Sequence, residues 1–142
     1  MTPEEKLDLA RRSYKAFSAG PDVDALIPLY DPACEWTVGS RGVDTPTVYY
    51  GHDGLREFAA WFDEWVSSFR VTIEEARIAT DGRMMIRHRV DLTSAVMGVE
   101  ISQIRWQEGD FTDRQILRIT ELEAPPVGWD AAKVIEAVGP EG

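Results

Sequence analysis

The sequence predicts an α+β fold, because its helical periodicities come first and its alternating, strand-like segments come later. Three amphipathic helical stretches lie before residue 70. A β meander with turns at Asp81-Gly82 and Asp113-Arg114 fills 71–124, and Pro125-Pro126 breaks the sheet ahead of one last short segment. A chain of 142 residues, 44% of them hydrophobic, has the size of one domain and buries a core without staples, so 1–142 reads as a single unit.

Thr2 is placed to cap the first helix, with Pro3 in its first turn and Glu5 in position to close a capping box. Leu7, Ala10, Tyr14 and Phe17 share one face of it, and Gly20-Pro21 ends it. Asp22 caps a second, short helix carrying Leu26, Leu29 and Tyr30, in which Pro28 forces a kink or a late start and Asp31-Pro32 is the stop. Residues 33–38 form a short strand, and 39–51 form a long loop rich in Gly, Pro and polar residues. The third helix is the clearest: Leu55, Phe58, Ala59, Phe62, Trp65, Val66 and Phe69 make one apolar stripe. Strands over 71–79 and 84–93 flank Thr80-Asp81-Gly82, a hairpin signal. A connection at 94–98 leads to a strand over 99–112, whose two alternate sets of side chains are equally mixed, so its buried face stays open. A strand over 115–124 follows, and 129–138 is a short C-terminal helix closed by Gly139.

Composition excludes several classes of function. A formal net charge of −10 is the wrong sign for nucleic acid or for anionic membrane surfaces. No apolar run is long enough to span a bilayer, and Met1-Thr2-Pro3-Glu4-Glu5 lacks the basic and apolar regions of a signal peptide. Cys34 is the single cysteine, so no internal disulfide is possible and a cytoplasmic location is expected. Phosphate-cradling glycine loops, HExxH and CxxC are all absent, and two His with one Cys do not build a dedicated zinc site. Neither a metal nor an organic cofactor is expected.

Four segments together resemble the SnoaL-like polyketide cyclase group of the nuclear transport factor two-like superfamily, over nearly the whole chain. They are Phe17-Ser18-Ala19-Gly20 leading to Asp24-Ala25-Leu26; Tyr30-Asp31-Pro32-Ala33-Cys34-Glu35-Trp36; Tyr50-Gly51-His52-Asp53-Gly54-Leu55-Arg56-Glu57-Phe58; and Ile116-Leu117-Arg118-Ile119-Thr120-Glu121-Leu122. The resemblance implies a cone-shaped fold. Its strongly curved, mostly antiparallel sheet wraps around three N-terminal helices, with one central pocket at the open end and a homodimer through the outer sheet face. Cyclases, isomerases, epoxide hydrolases, dehydratases and non-catalytic binders share that fold, so it sets no single activity.

Within 84–92 the even positions are Met84, Ile86, His88, Val90 and Leu92, and the odd ones are Met85, Arg87, Arg89 and Asp91. The apolar set must face the core, which puts His88 on a pocket-facing row. It is either a core histidine with its hydrogen bonds satisfied or a buried imidazole available for proton transfer. Glu121 lies seven residues after Arg114 at the turn. The resemblance puts a catalytic aspartate seven residues after a turn glycine there, so Glu121 is either that carboxylate with one more methylene or a structural one.

The same resemblance places Thr37 and Gln107 at polar pocket positions, Tyr14 beside an oxyanion tyrosine position that Ser13 occupies, and Phe58 on the pocket wall with Trp61 in the same aromatic stripe. Glu35, on the face of Thr37, would line the mouth. Arg89-Val90-Asp91 reads like the Arg-x-Asp of limonene epoxide hydrolases, although alternation puts both charges on the outer face. His52 reads as a local cap and Cys34 as packing. The expected activity is therefore cofactor-free acid–base chemistry on a small, largely apolar molecule, with His88 and Glu121 catalytic and Tyr14, Glu35, Thr37, Phe58, Trp61 and Gln107 binding. The alternatives are a non-catalytic ligand-binding or dimerisation domain and an epoxide hydrolase.

Overall fold

Thr2 and Glu5 exchange the two hydrogen bonds of a capping box in the computed structural model, and α1 runs from Pro3 to Ser18 behind them. The structure describes residues 1–18, 20–38 and 47–137. The reverse turn at Gly20 (φ 78°) leads to Asp22, whose carboxylate caps α2 (Val23–Leu26). Pro28 is accommodated at the start of a single 3-10 turn, Ile27–Leu29, where its missing N–H costs nothing. Then come β1 (Tyr30–Val38), β2 (Thr47–Tyr50), α3 (Gly51–Trp65), β3 (Val66–Ile78), β4 (Met84–Ser94), β5 (Glu100–Phe111), β6 (Ile116–Leu122) and β7 (Lys133–Ala137).

The seven strands form one open sheet in the order β2-β1-β6-β5-β4-β3-β7. Every neighbouring pair is antiparallel except β1 with β6. Register shifts in β3 at Ile73/Glu75 and in β1 between Tyr30 and Glu35 mark bulges, which bend a strand and sharpen its twist. The helices pack on one face. Phe17, Leu26, Leu55, Phe58 and Phe62 join Tyr30, Trp36, Ile116 and Ile119 in the larger core cluster, and Leu7 and Ala10 meet Ala76, Met84 and Ile86 in a smaller one. No helix is long and apolar enough to cross a membrane.

Three expectations are corrected. Residues 66–69 leave the helix and begin β3, because pairing Val66 with Ser94 and Phe69 with Leu92 gives these β-branched and aromatic side chains a sheet to pack on. Residues 47–50 of the expected long loop are strand β2, paired with β1 from Glu35 to Val38; residues 39–46 lie outside the described residues. The expected C-terminal helix is replaced by turns through Trp129 and then β7, which covers the β3 edge from Glu75 to Ile78. An unpaired strand edge outweighs the weak helical pattern. Arg77 stacks over the Trp129 ring at 4.3 Å and donates to its carbonyl at 2.6 Å, holding the chain against the edge before β7 starts. Val138 and Gly139 of the expected helix lie outside the described residues.

Gly54 is where α3 docks on β2. A Cβ there would stand 2.8 Å from the backbone carbonyl carbon of Tyr49. Backbone cannot swing aside as a side chain can. Gly54→Ala is therefore expected to lower stability by about 1–3 kcal/mol, read as a shifted urea midpoint; an unchanged midpoint would contradict this docking.

Candidate functional site

The concave face of the sheet and the helices enclose a cavity of about 430 Å³. One wall is apolar and mostly aromatic. Phe17 on α1, Trp36 on β1, Phe58, Trp61 and Phe62 on α3 and Phe69 on β3 supply it, with ring contacts such as Trp36–Phe58 at 5.0 Å and Phe17–Trp36 at 5.3 Å. Opposite, Tyr14, His88, Gln103, Arg105, Glu121 and Glu123 make a polar strip.

Period-2 alternation positions the strip. On β4, His88, Val90 and Leu92 line the cavity, while Arg89 and Asp91 pair with each other on the outer face at 3.2 Å. The Arg-x-Asp reading is thereby corrected: that pair does not enter the cavity. On β5, Ile101, Gln103 and Arg105 line it; Glu121 on β6 and Glu123, just past the end of that strand, do so too. On β1 the lining residues are Trp36 and Val38.

The β1 placement corrects Glu35 and Thr37. Both turn to the outer face, where Glu35 is the register partner of Arg118 and pairs with it at 3.2 Å. Tyr30, Cys34 and Trp36 are the buried residues of this strand, and beyond its bulge burying Cys34 and Trp36 sends Glu35 and Thr37 outward. His52 does hold a local position: its Nε2 lies 2.8 Å from the Tyr30 carbonyl oxygen, tying the start of α3 to β1. Arg105 and Glu123 were missed by sequence reasoning. The signal lay in Gln107: once that side chain is taken to face inward, period 2 brings Arg105 and Gln103 with it.

Tyr14, His88, Gln107 and Glu121 form one buried polar chain. The Tyr14 hydroxyl lies 2.9 Å from His88 Nδ1 and donates to Gln107 Oε1 at 2.9 Å, and Gln107 Nε2 donates to Glu121 Oε1. A hydroxyl carries one proton. Since Tyr14 gives it to Gln107, its oxygen accepts from His88, which places the imidazole proton on Nδ1. His88 Nε2 is then a bare lone pair. It is buried without a hydrogen-bond partner and stands 3.9 Å from Glu121 Oε2.

Burial governs the titration of this strip. It is the main cause that holds His88 down to about 4 from 6.5, with the positive charge of Arg105 adding to it. Burial also raises Glu121 above the ordinary carboxylate range, against the opposing pull of the Gln107 hydrogen bond and Arg105. Tyr14 is pushed well above 10 by burial and by the Glu121 charge, so its hydroxyl keeps its proton. Near neutral pH His88 is an uncharged base. Among the described residues, no group of three or more His, Cys, Asp and Glu is arranged to hold a metal ion.

An α+β fold with helices on the concave face of one curved, open sheet, and a cavity with a polar strip between them, is the nuclear transport factor two-like architecture. The chain belongs to the SnoaL-like domain family, which it matches over residues 10–121. Solved structures agree in fold. A nuclear transport factor two-like protein of unknown function from Burkholderia pseudomallei superposes with a TM-score of 0.70 at 16% identity, covering 85% of this chain and 90% of that one. TerC, co-crystallised with polyporic acid, gives 0.69 at 18% identity over 83% and 90%. A protein with a ketosteroid isomerase-like fold from Catenulispora acidiphila, in complex with trimethylamine, gives 0.69 at 16% over 85% and 85%. No curated protein matches the chain significantly in sequence.

The Tyr14 hydroxyl partners two buried groups at once. Tyr14→Phe strands both the His88 Nδ1 proton and Gln107 Oε1, so chemical denaturation should show a loss of about 1–3 kcal/mol. A loss no larger than that of a surface substitution would mean that water replaces the hydroxyl and that the chain does not order the site.

Proposed function

We propose that the cavity is an active site for cofactor-free acid–base chemistry on a small, largely apolar organic molecule, of the proton-abstraction kind that serves cyclisation or isomerisation. The observation that carries this reading is the buried, unpartnered Nε2 of His88, a residue of the cavity lining, 3.9 Å from the Glu121 carboxylate. A neutral imidazole with a free lone pair is a general base, and a carboxylate at that distance stabilises the imidazolium that forms on proton uptake. Tyr14 and Gln107 act as positioning residues: their hydrogen bonds to His88 and Glu121 orient the pair. Phe58 and Trp61 bound the substrate's apolar body. Gln107 is already committed to Tyr14 and Glu121 and Thr37 faces outward, so neither supplies the hydrogen bond to a substrate oxygen that the sequence suggested for them.

Proton–deuterium exchange at the α-carbons of 2-tetralone, followed by ¹H NMR in D₂O, tests this directly. His88→Asn should cost about 10²–10⁴-fold in exchange rate, and Glu121→Gln a smaller factor. His88 is in its base form above about 4, so its own titration should lower the wild-type rate only as pH drops toward that value, with no inflection near the 6.5 of an ordinary imidazole. Glu121, raised by burial, should add a second inflection above the ordinary carboxylate range that is absent in Glu121→Gln. Unchanged exchange in both variants would remove the assignment.

We also propose that two copies associate through the outer sheet face. Ile104 supports this reading: it stands on that face, opposite in alternation to the cavity-lining Gln103 and Arg105, and is 42% exposed. Arg89, its cross-strand neighbour, pairs with Asp91, and further along the same face Arg118 pairs with Glu35 and Asp110, which reduces the cost of covering these charges. Light scattering should give the mass of two chains, and Ile104→Lys should give that of one; a monomer at high concentration would contradict this.

A further inference from the structure

We propose that the polar strip seats a neutral hydroxyl carried on an aromatic molecule: the hydroxyl donates to His88 Nε2 and accepts from the Arg105 guanidinium, which makes Arg105 the specificity-determining residue of the cavity. This rests on the reading of the cavity as the active site and names the ligand class it selects.

The acceptor side is visible in the relay. His88 Nε2 is an orphaned lone pair on a side chain that is 3% exposed, and Glu121 Oε2 is a second acceptor 3.9 Å from it. Two acceptors at that separation call for a donor between them, and a buried acceptor left without one costs about 1–3 kcal/mol. The donor side is Arg105. It is the cross-strand partner of His88 on the next strand, and both side chains line the cavity. Guanidinium has five N–H donors and no acceptor. Glu123 stands 3.9 Å from this guanidinium, and one carboxylate cannot occupy all five donors of a residue that lines the cavity.

Three kinds of ligand head can be weighed against this arrangement. An ammonium would satisfy His88 Nε2 and Glu121 but would be repelled by Arg105. A carboxylate would satisfy Arg105 but brings no proton to the His88 lone pair and places a second negative charge beside Glu121. A hydroxyl is donor and acceptor at once and meets both demands without adding charge to a low-dielectric site. The remaining wall, with Phe17, Trp36 and Phe58 in edge and tilted contacts, offers ring faces and edges to a flat apolar body, and 430 Å³ is in the range of small-molecule pockets.

Isothermal titration calorimetry at neutral pH with four naphthalene probes separates the cases. 2-Naphthol should bind at least tenfold more tightly than 2-methoxynaphthalene, which has the same shape but no donor, and more tightly than 2-naphthoate or 2-naphthylmethylamine. Arg105→Met, which removes the donor to the ligand oxygen and the charge that repels an ammonium, should weaken naphthol binding and raise the relative affinity of 2-naphthylmethylamine, and Arg105→Lys should keep part of the naphthol affinity. The ¹⁵N signal of His88 Nε2 should move on adding naphthol and stay in place on adding the methyl ether. Equal affinity of naphthol and its ether, tightest binding by the carboxylate or the amine, or no measurable naphthol binding would each overturn the proposal. Binding is read without turnover. A naphthol preference with no tetralone exchange would therefore remove the acid–base reading while leaving the seat, and exchange without the preference would do the reverse.

Discussion

The hydrogen bond from the Gln107 amide to the Glu121 carboxylate sets the polarity of the whole interior. A carboxylate accepts and does not donate, so the amide must present its nitrogen to Glu121 and its oxygen to Tyr14. The tyrosine proton is thereby assigned to Gln107, the histidine proton to Nδ1, and the lone pair to Nε2. Reversing any link would set donor against donor or acceptor against acceptor in a region of low dielectric. The chain also ties α1 to β4, β5 and β6, so the tautomer and the docking of the first helix on the sheet are one constraint. A fully connected buried network of this kind specifies a unique arrangement where an apolar core would tolerate several.

The fold supplies the surroundings that give the network its chemical character. Aromatic side chains from α1, β1, α3 and β3 exclude water from one side of the strip. The same burial that depresses His88 elevates Glu121, so the two groups, which differ by about two units as free side chains, are driven toward each other's range. Glu121 keeps 16% of its side chain exposed, enough for contact with the cavity mouth while His88 stays sealed. The β7 strand serves the fold and not the site: it covers the β3 edge and adds Ile135 to the smaller core cluster, away from the cavity.

How much of this was legible follows from which positions carried strong local constraints. His88 was readable because Arg87, Arg89 and Asp91 flank it, and a slip of one residue would bury all three charges. Glu121 was readable through the resemblance, which implies a carboxylate seven residues after that turn. Thr37 and Glu35 were misplaced because a resemblance to other chains was allowed to outvote the local pattern, in which Trp36 had the stronger claim on the core. Arg105 was invisible because neither face of 99–112 is apolar: the inner face mixes Ile101 with Gln103 and Arg105, and the outer mixes Ser102 with Ile104 and Trp106. That ambiguity is itself the mark of a strand lining a polar part of a cavity. Helical periodicity carried past Trp65 because Val66 and Phe69 sit at helical spacing, and only the pairing partners in β4, twenty or more residues away, decide against it.

The way this chain departs from the sets that share its fold points to one reassignment. Asp91 and Arg89 are outside, Thr37 is outside, and Gln107 is not part of the cavity lining and bonds Tyr14 and Glu121. The proposed acid–base reading also requires a group that stabilises negative charge on a substrate oxygen, because moving a proton to His88 would leave an electron pair behind. Arg105 meets the physical requirements for that duty: it carries a guanidinium with five N–H donors, it neighbours His88 across the β4–β5 ladder, and it lines the cavity. Its charge also explains why it belongs near a histidine at all. It adds to the burial that keeps the imidazole neutral, and on the proposed reading a negative oxygen forming beside it would offset that field and strengthen the base at the moment the proton moves.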